Sequence, residues 1–96
     1  MSIEIGSLIE STPEIRHGKP RIAGTGITVH RIVIWYKQGL SPEQIAGEYE
    51  HLTLAQVYAA LTYYHANQTE IETDLAAEDS EIERLEMEHY QVPKSA

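Results

Sequence analysis

Apolar residues recur at helical spacing in three successive stretches of the chain, and these stretches predict three helices. The first extends from Val29 to Gln38, the second from Pro42 to about Tyr49, and the third begins at Leu54. The first stripe comprises Val29, Ile32, Val33, Tyr36 and Leu40. The predicted core stripe of the third helix comprises Leu54, Val57, Tyr58, Leu61 and Tyr64, opposite Gln56, Ala59, Ala60, Tyr63 and Asn67.

Two helix-start signatures lie twelve residues apart, Ser41-Pro42-Glu43-Gln44 and Thr53-Leu54-Ala55-Gln56. In each, a hydroxyl can accept a hydrogen bond from a free N–H of the first turn, and a glutamine can accept one from the capping residue. Gly39 stands where a left-handed residue would end the preceding helix. A short helix and a longer helix joined by a tight turn, after a bracing helix, are typical of a helix-turn-helix.

Ahead of these helices, Arg21 to Ala23 and Ile27 to Val29 flank Gly24-Thr25-Gly26. Because glycine tolerates the positive φ of a tight reversal, this segment predicts a small β-hairpin. Ile34 and Trp35 lie off the apolar stripe of the first helix. They indicate either contact with both the hairpin and the other helices or a dimer surface.

After Asn67 the pattern becomes acidic, with apolar residues at steps of three and four: Ile71, Leu75, Ile82 and Leu85. The same seam places Glu78 and His89 at apolar positions. The sequence therefore predicts two parts, residues 1–69 with the hairpin and helices, and residues 70–96 as an amphipathic acidic segment. Such a helix is too polar to be stable alone, so we expect it to dock on a surface or to remain partly disordered.

Composition narrows the class of protein. Ninety-six residues with 42% apolar side chains form one small core, and cysteine is absent. The chain shows neither a membrane-spanning apolar run nor a leader pattern, so we expect a cytoplasmic protein. The net charge of −8 is divided: residues 1–39 carry five Lys/Arg against three Asp/Glu, whereas residues 70–96 carry two against nine. The basic front of the chain, residues 1–39, is suited to bind a polyanion, and its acidic rear, residues 70–96, is suited to bind a basic partner.

Three motifs in order carry a family resemblance over about residues 8 to 70. They are Gly18-Lys19-Pro20-Arg21-Ile22-Ala23-Gly24-Thr25-Gly26-Ile27-Thr28-Val29, Gln38-Gly39-Leu40-Ser41-Pro42-Glu43-Gln44-Ile45, and Leu52-Thr53-Leu54-Ala55-Gln56-Val57-Tyr58-Ala59-Ala60-Leu61. This combination resembles the domain of unknown function 433 family, often described as VapB-type antitoxins. At Gly26 the chain departs from the family, which often has arginine there.

The resemblance implies a mainly α fold: a homeodomain-like helix-turn-helix of three helices behind a small β-hairpin, often as a homodimer. It also implies gene pairing with a PIN-like ribonuclease toxin. The expected function is therefore an antitoxin that binds operator DNA and neutralises its toxin through the acidic C-terminal segment. We expect no enzymatic activity and no cofactor.

DNA binding is one of two alternatives for the first part of the chain. The candidate DNA contacts are Arg16, Lys19, Arg21, Arg31, Gln56 and Tyr63, with Lys37 as a further cation. Residues 38–83 contain no Lys or Arg, although cations supply much of the affinity for DNA. The alternative is therefore an interaction module whose third helix binds protein and not DNA.

The acidic segment also admits two interpretations. In the first, it folds onto a basic toxin through Ile71, Leu75, Ile82 and Leu85; in the second, it packs on the chain's own core or on its dimer mate. In the first case, deleting residues 70–96 would abolish neutralisation and leave residues 1–67 folded. Five histidines show no helical i, i+4 pairing, and no nucleophile stands beside a base, so the sequence favours neither a metal site nor catalysis.

Overall fold

The computed structural model describes Ser2 and residues 4–91, with side-chain surroundings up to Asp79. Within this part of the chain the fold is mainly helical, with four α-helices and one two-stranded antiparallel sheet. The helices are α1 Val29–Lys37, α2 Pro42–Gly47, α3 Leu54–Ala66 and α4 Gln68–Gln91, and the strands are β1 Ile9–Glu10 and β2 Arg21–Ile22. Short 3₁₀ turns lie at Ile5–Leu8 and Arg16–Gly18.

The predicted helix starts are confirmed. Ser41 Oγ accepts from the backbone N–H of Gln44 at 3.2 Å, while the Gln44 side chain accepts from the Ser41 N–H at 2.8 Å. Thr53 and Gln56 form the same reciprocal pair at the start of α3. Gly39 has a φ of 98°, in the left-handed region, and follows the end of α1. Local capping chemistry therefore sets the start of both helices.

The predicted hairpin required correction. Its turn is present, because Thr25 N donates to Ile22 O at 3.1 Å and Ile22 N donates to Ile27 O at 2.8 Å. However, the returning strand is reduced to a single bridge between Arg21 and Thr28. Thr28 already caps α1, so the chain becomes helical immediately. The main partner of β2 is instead β1, with Ile9 opposite Ile22 and Glu10 opposite Arg21.

Helix α3 lies at the centre of the fold, and the prediction of its buried face was partly wrong. Leu54 and Tyr58 are 40% and 49% exposed, whereas Ala59 and Ala60 are buried. The reason is that α3 has neighbours on two sides. It contacts α1 and α2 on one side, and β1, β2 and the Ile5–Leu8 turn on another. An isolated helical stripe cannot reveal such double-sided packing.

Helix α4 begins directly after α3. Asn67 separates them with a non-helical backbone of φ −131° and ψ 37°. Ile71 and Leu75 of α4 are 1% and 8% exposed and belong to the same core as Val29, Ile32 and Val57. The boundary predicted between residues 69 and 70 thus falls in the first turn of α4, and the start of the acidic segment is part of the folded core.

Candidate functional site

The cations predicted to contact DNA have different surroundings. Arg16 and Arg31 are exposed, and among the described residues neither forms an ion pair. Lys19 and Lys37 pair with Glu78 and Glu72 of α4. The structure therefore leaves two of these cations open to solvent and engages the others within the chain.

Arg21 is a buried structural residue, with only 4% of its surface exposed. Its Nη1 donates to Glu10 Oε1 at 2.8 Å and its Nη2 to Thr12 Oγ1 at 2.9 Å. The pair joins directly opposed residues of β1 and β2, where opposite charges stabilise a sheet. In this conformation the guanidinium lacks the access that a phosphate contact requires.

Helix α4 is bound to the other helices through its carboxylates. Glu72 accepts hydrogen bonds from Lys37 of α1 and from the Tyr64 hydroxyl of α3. The hydrogen bond from Lys37, followed by the one from Tyr64, lowers the pKa of Glu72 below its ordinary value of 4.5. The same bond to Glu72, together with burial, raises the pKa of Tyr64 above 10.0. The α4 surface is thus electrostatically matched to α1 and α3.

His30 of α1 lies at the centre of this helix interface. It is 3% exposed, and its Nε2 lies 2.9 Å from Asp74 Oδ2 on α4. Because a carboxylate only accepts, Nε2 carries the shared proton. His30 Nδ1 is buried and has no hydrogen-bond partner among the described residues. Such a group usually has a water or an ion as its partner.

An open pocket of about 360 Å³ lies beside this histidine, between α1, the Arg16–Gly18 turn and α4. We call it the cationic pocket, because its described lining includes three cations, Arg16, Lys19 and Arg31, and one carboxylate, Glu78. The remaining lining residues are His17, Gly26, Ile27, Thr28, His30, Ile34 and Tyr49.

The position of Arg16 in the cationic pocket depends on unusual backbone. Arg16 and His17 have φ values of 52° and 57°, in the left-handed region that L-residues rarely occupy. Arg16 Nε donates to Gly26 O at 3.1 Å. A Cβ at Gly26 would lie 3.4 Å from Arg16 Nη2, in van der Waals contact with the guanidinium. Arg16 therefore places a cation at the Gly24–Gly26 turn.

The remaining predicted DNA contacts lie on α3. The Gln56 side-chain oxygen is engaged in the capping box, and Tyr63 is half-buried against a groove that includes Ile5 and Ile9. The outer face of α3 instead presents Leu54, Ala55, Tyr58, Thr62 and His65, which include no Lys or Arg. This face is apolar and aromatic in character.

The four predicted partner contacts divide into two pairs. Ile71 and Leu75 are buried against this chain's own core, so they cannot reach another protein while α4 is docked. Ile82 and Leu85 lie on the helical stretch of α4 whose side chains fall outside the described residues.

Sequence reasoning missed the carboxylates that hold α4. One signal for them was present in the sequence, since Glu78 stands at an apolar position of the seam. In the structure Glu78 pairs with Lys19. Glu72 and Asp74 gave no such signal. Among the described residues, no cluster of three or more potential metal ligands occurs and no helix could span a membrane.

Comparison with known proteins places this fold in context. The family model described as "Protein of unknown function (DUF433)" matches residues 9–64, a span that includes most of the cationic pocket and ends before α4. A DUF433 member protein from Anabaena variabilis, with a crystal structure at 2.00 Å resolution, is similar with a TM-score of 0.69. The two are 31% identical over 73% of this chain and 69% of that one. None of the curated proteins matches the chain.

Proposed function

The chain belongs to the DUF433 family, and on that premise we propose that it is an antitoxin-like regulatory protein without enzymatic activity. In this proposal α1–α3 form a homeodomain-like helix-turn-helix that acts as a homodimer on operator DNA. Helix α4 binds a PIN-like toxin. The observation that supports the proposal is the anchoring of the first part of α4, where Ile71 and Leu75 are buried and Glu72, Asp74 and Glu78 contact Lys37, His30 and Lys19.

Anchoring gives the acidic helix a fixed direction. Ile71, Leu75 and Glu78 all face the domain, since two are buried and the third pairs with Lys19. The same three- and four-residue seam continues to Ile82 and Leu85. With a rise of 1.5 Å per residue, Ile82 lies about 16 Å along the helix axis from Ile71. An amphipathic helix that carries Ile82 and Leu85 between carboxylates suits an apolar groove with a basic rim.

Co-expression with the product of the adjacent gene tests this assignment. We expect the two proteins to elute together from size exclusion, and the double variant Ile82→Asp/Leu85→Asp to abolish the complex. Ala76→Asp/Ala77→Asp is the matched control, because both alanines are exposed on α4 and off the seam. It adds the same charge and should retain the complex. A complex that survives the seam variant would assign the toxin contact to another surface.

For the operator, Arg16 and Arg31 are the cations among the described residues that are exposed and form no ion pair there. Fluorescence anisotropy with the chain's own promoter, at stepped salt concentrations, measures how many phosphates are neutralised. Arg31→Ala should lower the salt slope by about two for a dimer, one contact per subunit. Lys37→Ala removes the same charge from a residue already paired with Glu72 and should change the slope less.

A second candidate is a protein-interaction module that does not contact DNA. The outer face of α3 favours it, because this face lacks Lys and Arg and exposes Leu54 and Tyr58. Tyrosine is enriched at protein–protein interfaces, and a helix face without Lys or Arg has little affinity for the phosphates of DNA. Promoter binding that is weak and insensitive to Arg16→Ala and Arg31→Ala would favour this module over the operator-binding role.

A further inference from the structure

We propose that the cationic pocket binds a nucleoside 5′-phosphate, with the phosphate beside Arg16 and Arg31 and the nucleoside along the apolar wall. This site is separate from the toxin contact proposed above and shares Arg16 and Arg31 with the proposed operator contact. It requires neither a second protein nor a dimer. Three features of the pocket suit this ligand: its charge, its size and one buried atom, His30 Nδ1, without a partner among the described residues.

Charge selects the phosphate. Arg16, Lys19 and Arg31 line the pocket, and among the described side chains Glu78 is the one carboxylate that lines it with them. The Arg16 Nε is fixed by Gly26 O, which aligns the guanidinium and leaves its Nη groups for a ligand. Arginine favours phosphate because its planar donors match two oxygens at once.

A buried polar atom points to the same conclusion. His30 lines the pocket and is 3% exposed, yet its Nδ1 has no partner within the described part of the chain. The opposite ring nitrogen is held by Asp74 at 2.9 Å, so the ring cannot turn to satisfy both atoms from within the fold. Because Nε2 carries the proton that Asp74 accepts, Nδ1 of the neutral ring is an acceptor, and a donating hydroxyl of the ligand's ribose would supply the missing partner.

Size and lining indicate more than a free phosphate ion. A volume of about 360 Å³ falls in the range of small-molecule sites. Ile27, Ile34 and Tyr49 provide an apolar and aromatic wall. The Tyr49 hydroxyl accepts from Trp35 Nε1 at 2.8 Å, which fixes the ring that would contact a sugar or base.

Glu78 controls access to one of the cations. It pairs with Lys19 at the rim of the pocket, and an incoming phosphate would compete with this carboxylate for the ammonium. Removing the carboxylate should therefore tighten binding, an effect in the opposite direction to that of the arginine variants.

The test is calorimetric titration of the full chain with AMP, UMP, adenosine, inorganic phosphate and a 5′-phosphorylated trinucleotide. Emission of the single tryptophan, Trp35, gives a second readout through its bond to Tyr49. We expect AMP or UMP to bind at least tenfold more tightly than adenosine and inorganic phosphate. Comparable binding of the trinucleotide would extend the ligand to nucleic-acid 5′ ends, whereas its exclusion would restrict it to free nucleotides.

Variants identify the site. Arg16→Ala and Arg31→Ala should each weaken nucleotide binding about ten- to hundredfold, as expected for a lost hydrogen bond between charged groups. Glu78→Gln should strengthen it several-fold. Lys37→Ala, a cation outside the pocket, should leave it within about twofold, and circular dichroism checks folding. The proposal is overturned if no nucleotide binds, if adenosine binds as well as AMP, or if the arginine variants retain full affinity.

Discussion

His30 of α1 is joined to Asp74 of α4 by a contact of 2.9 Å between Nε2 and Oδ2, although these residues are 44 positions apart in sequence. The imidazole is buried and the carboxylate is half-buried. Asp74 is the partner of the His30 Nε2 atom. The other ring nitrogen, Nδ1, has no hydrogen-bond partner among the described residues. The pair therefore connects the acidic helix to the core.

Replacing this carboxylate should destabilise the protein. Asp74→Ala removes the partner of Nε2, so neither ring nitrogen of the buried His30 has a partner among the described residues, and we expect the free energy of unfolding to fall by about 1–2 kcal/mol. Urea denaturation measures the change. Asp79→Ala is the control, since Asp79 is exposed on the same helix and has no ion pair among the described side chains. Equal stabilities of the two variants would show that the His30–Asp74 contact contributes nothing.

Truncation should distinguish the two halves of α4. A chain that ends at Asp79 keeps Ile71 and Leu75 in the core and should unfold cooperatively. A chain that ends at Asn67 loses both residues and should be less stable by at least about 3 kcal/mol. Of the two interpretations of the acidic segment, this burial favours packing on the chain's own core over a segment whose deletion leaves residues 1–67 folded.

Point variants keep the truncation test interpretable if the shorter chain fails to express. Ile71→Ala should cost about 2–4 kcal/mol, because it leaves a cavity at a position only 1% exposed. Ala76→Gly, at an exposed position of the same helix, should cost about 1 kcal/mol through helix propensity alone. Full stability of the Ile71→Ala variant, or of the chain ending at Asn67, would contradict an anchored α4.

Arg21 should behave as a structural residue. Arg21→Ala removes the buried guanidinium that bridges Glu10 and Thr12, and we expect a loss of about 2 kcal/mol in thermal or urea unfolding. Arg16→Ala, at an exposed position, should lose less than about 0.5 kcal/mol. If Arg21→Ala retained stability but lost promoter binding, the predicted DNA contact would be supported and its structural role rejected.

Acid should weaken the docking of α4 through Glu72. The folded-state pKa of Glu72 is lowered below 4.5, so the folded protein binds this proton less readily than the unfolded chain. The resulting stability is present above pH 4.5 and is lost as pH falls through the lowered folded pKa. Glu72→Gln should therefore flatten this part of the stability curve, as measured by urea denaturation between pH 2 and pH 6.

Glu70→Gln is the control for the pH experiment. Glu70 is exposed on α4 and has no hydrogen bond or ion pair among the described side chains. The Glu70→Gln variant should therefore lose stability between pH 6 and pH 2 in the same way as the wild type. If the free energy of unfolding of Glu72→Gln followed the same pH dependence as that of the wild type, the contacts of Glu72 with Lys37 and Tyr64 would not be the cause of the acid destabilisation.

Local chemistry made the helix starts predictable. A hydroxyl at the cap and a glutamine three residues later satisfy each other within one turn, so Ser41 and Thr53 could be assigned without tertiary information. The hairpin turn was predictable for a similar reason. Its strand partner was not, because Ile9 and Ile22 meet only when distant segments are brought together.

The candidate site was predictable only as a list of cations. From the sequence, Arg16, Arg21 and Lys19 are equivalent candidates for DNA contacts. In the structure Arg16 is exposed, Arg21 is buried and Lys19 pairs with Glu78. The distinction depends on neighbours many positions away. The same limitation applied to α3, whose single apolar stripe did not reveal packing on two sides.

The sequence by itself determined where α1, α2 and α3 begin, the turn at Gly24 to Gly26 and the separation of a basic front from an acidic rear. Only the tertiary structure decided that the acidic helix docks on its own core and that its carboxylates face Lys37, His30 and Lys19. The physical reason is the separation along the sequence of the residues that interact. Caps and turns are satisfied within a few residues, whereas burial and ion pairing depend on which distant surfaces the folded chain brings into contact.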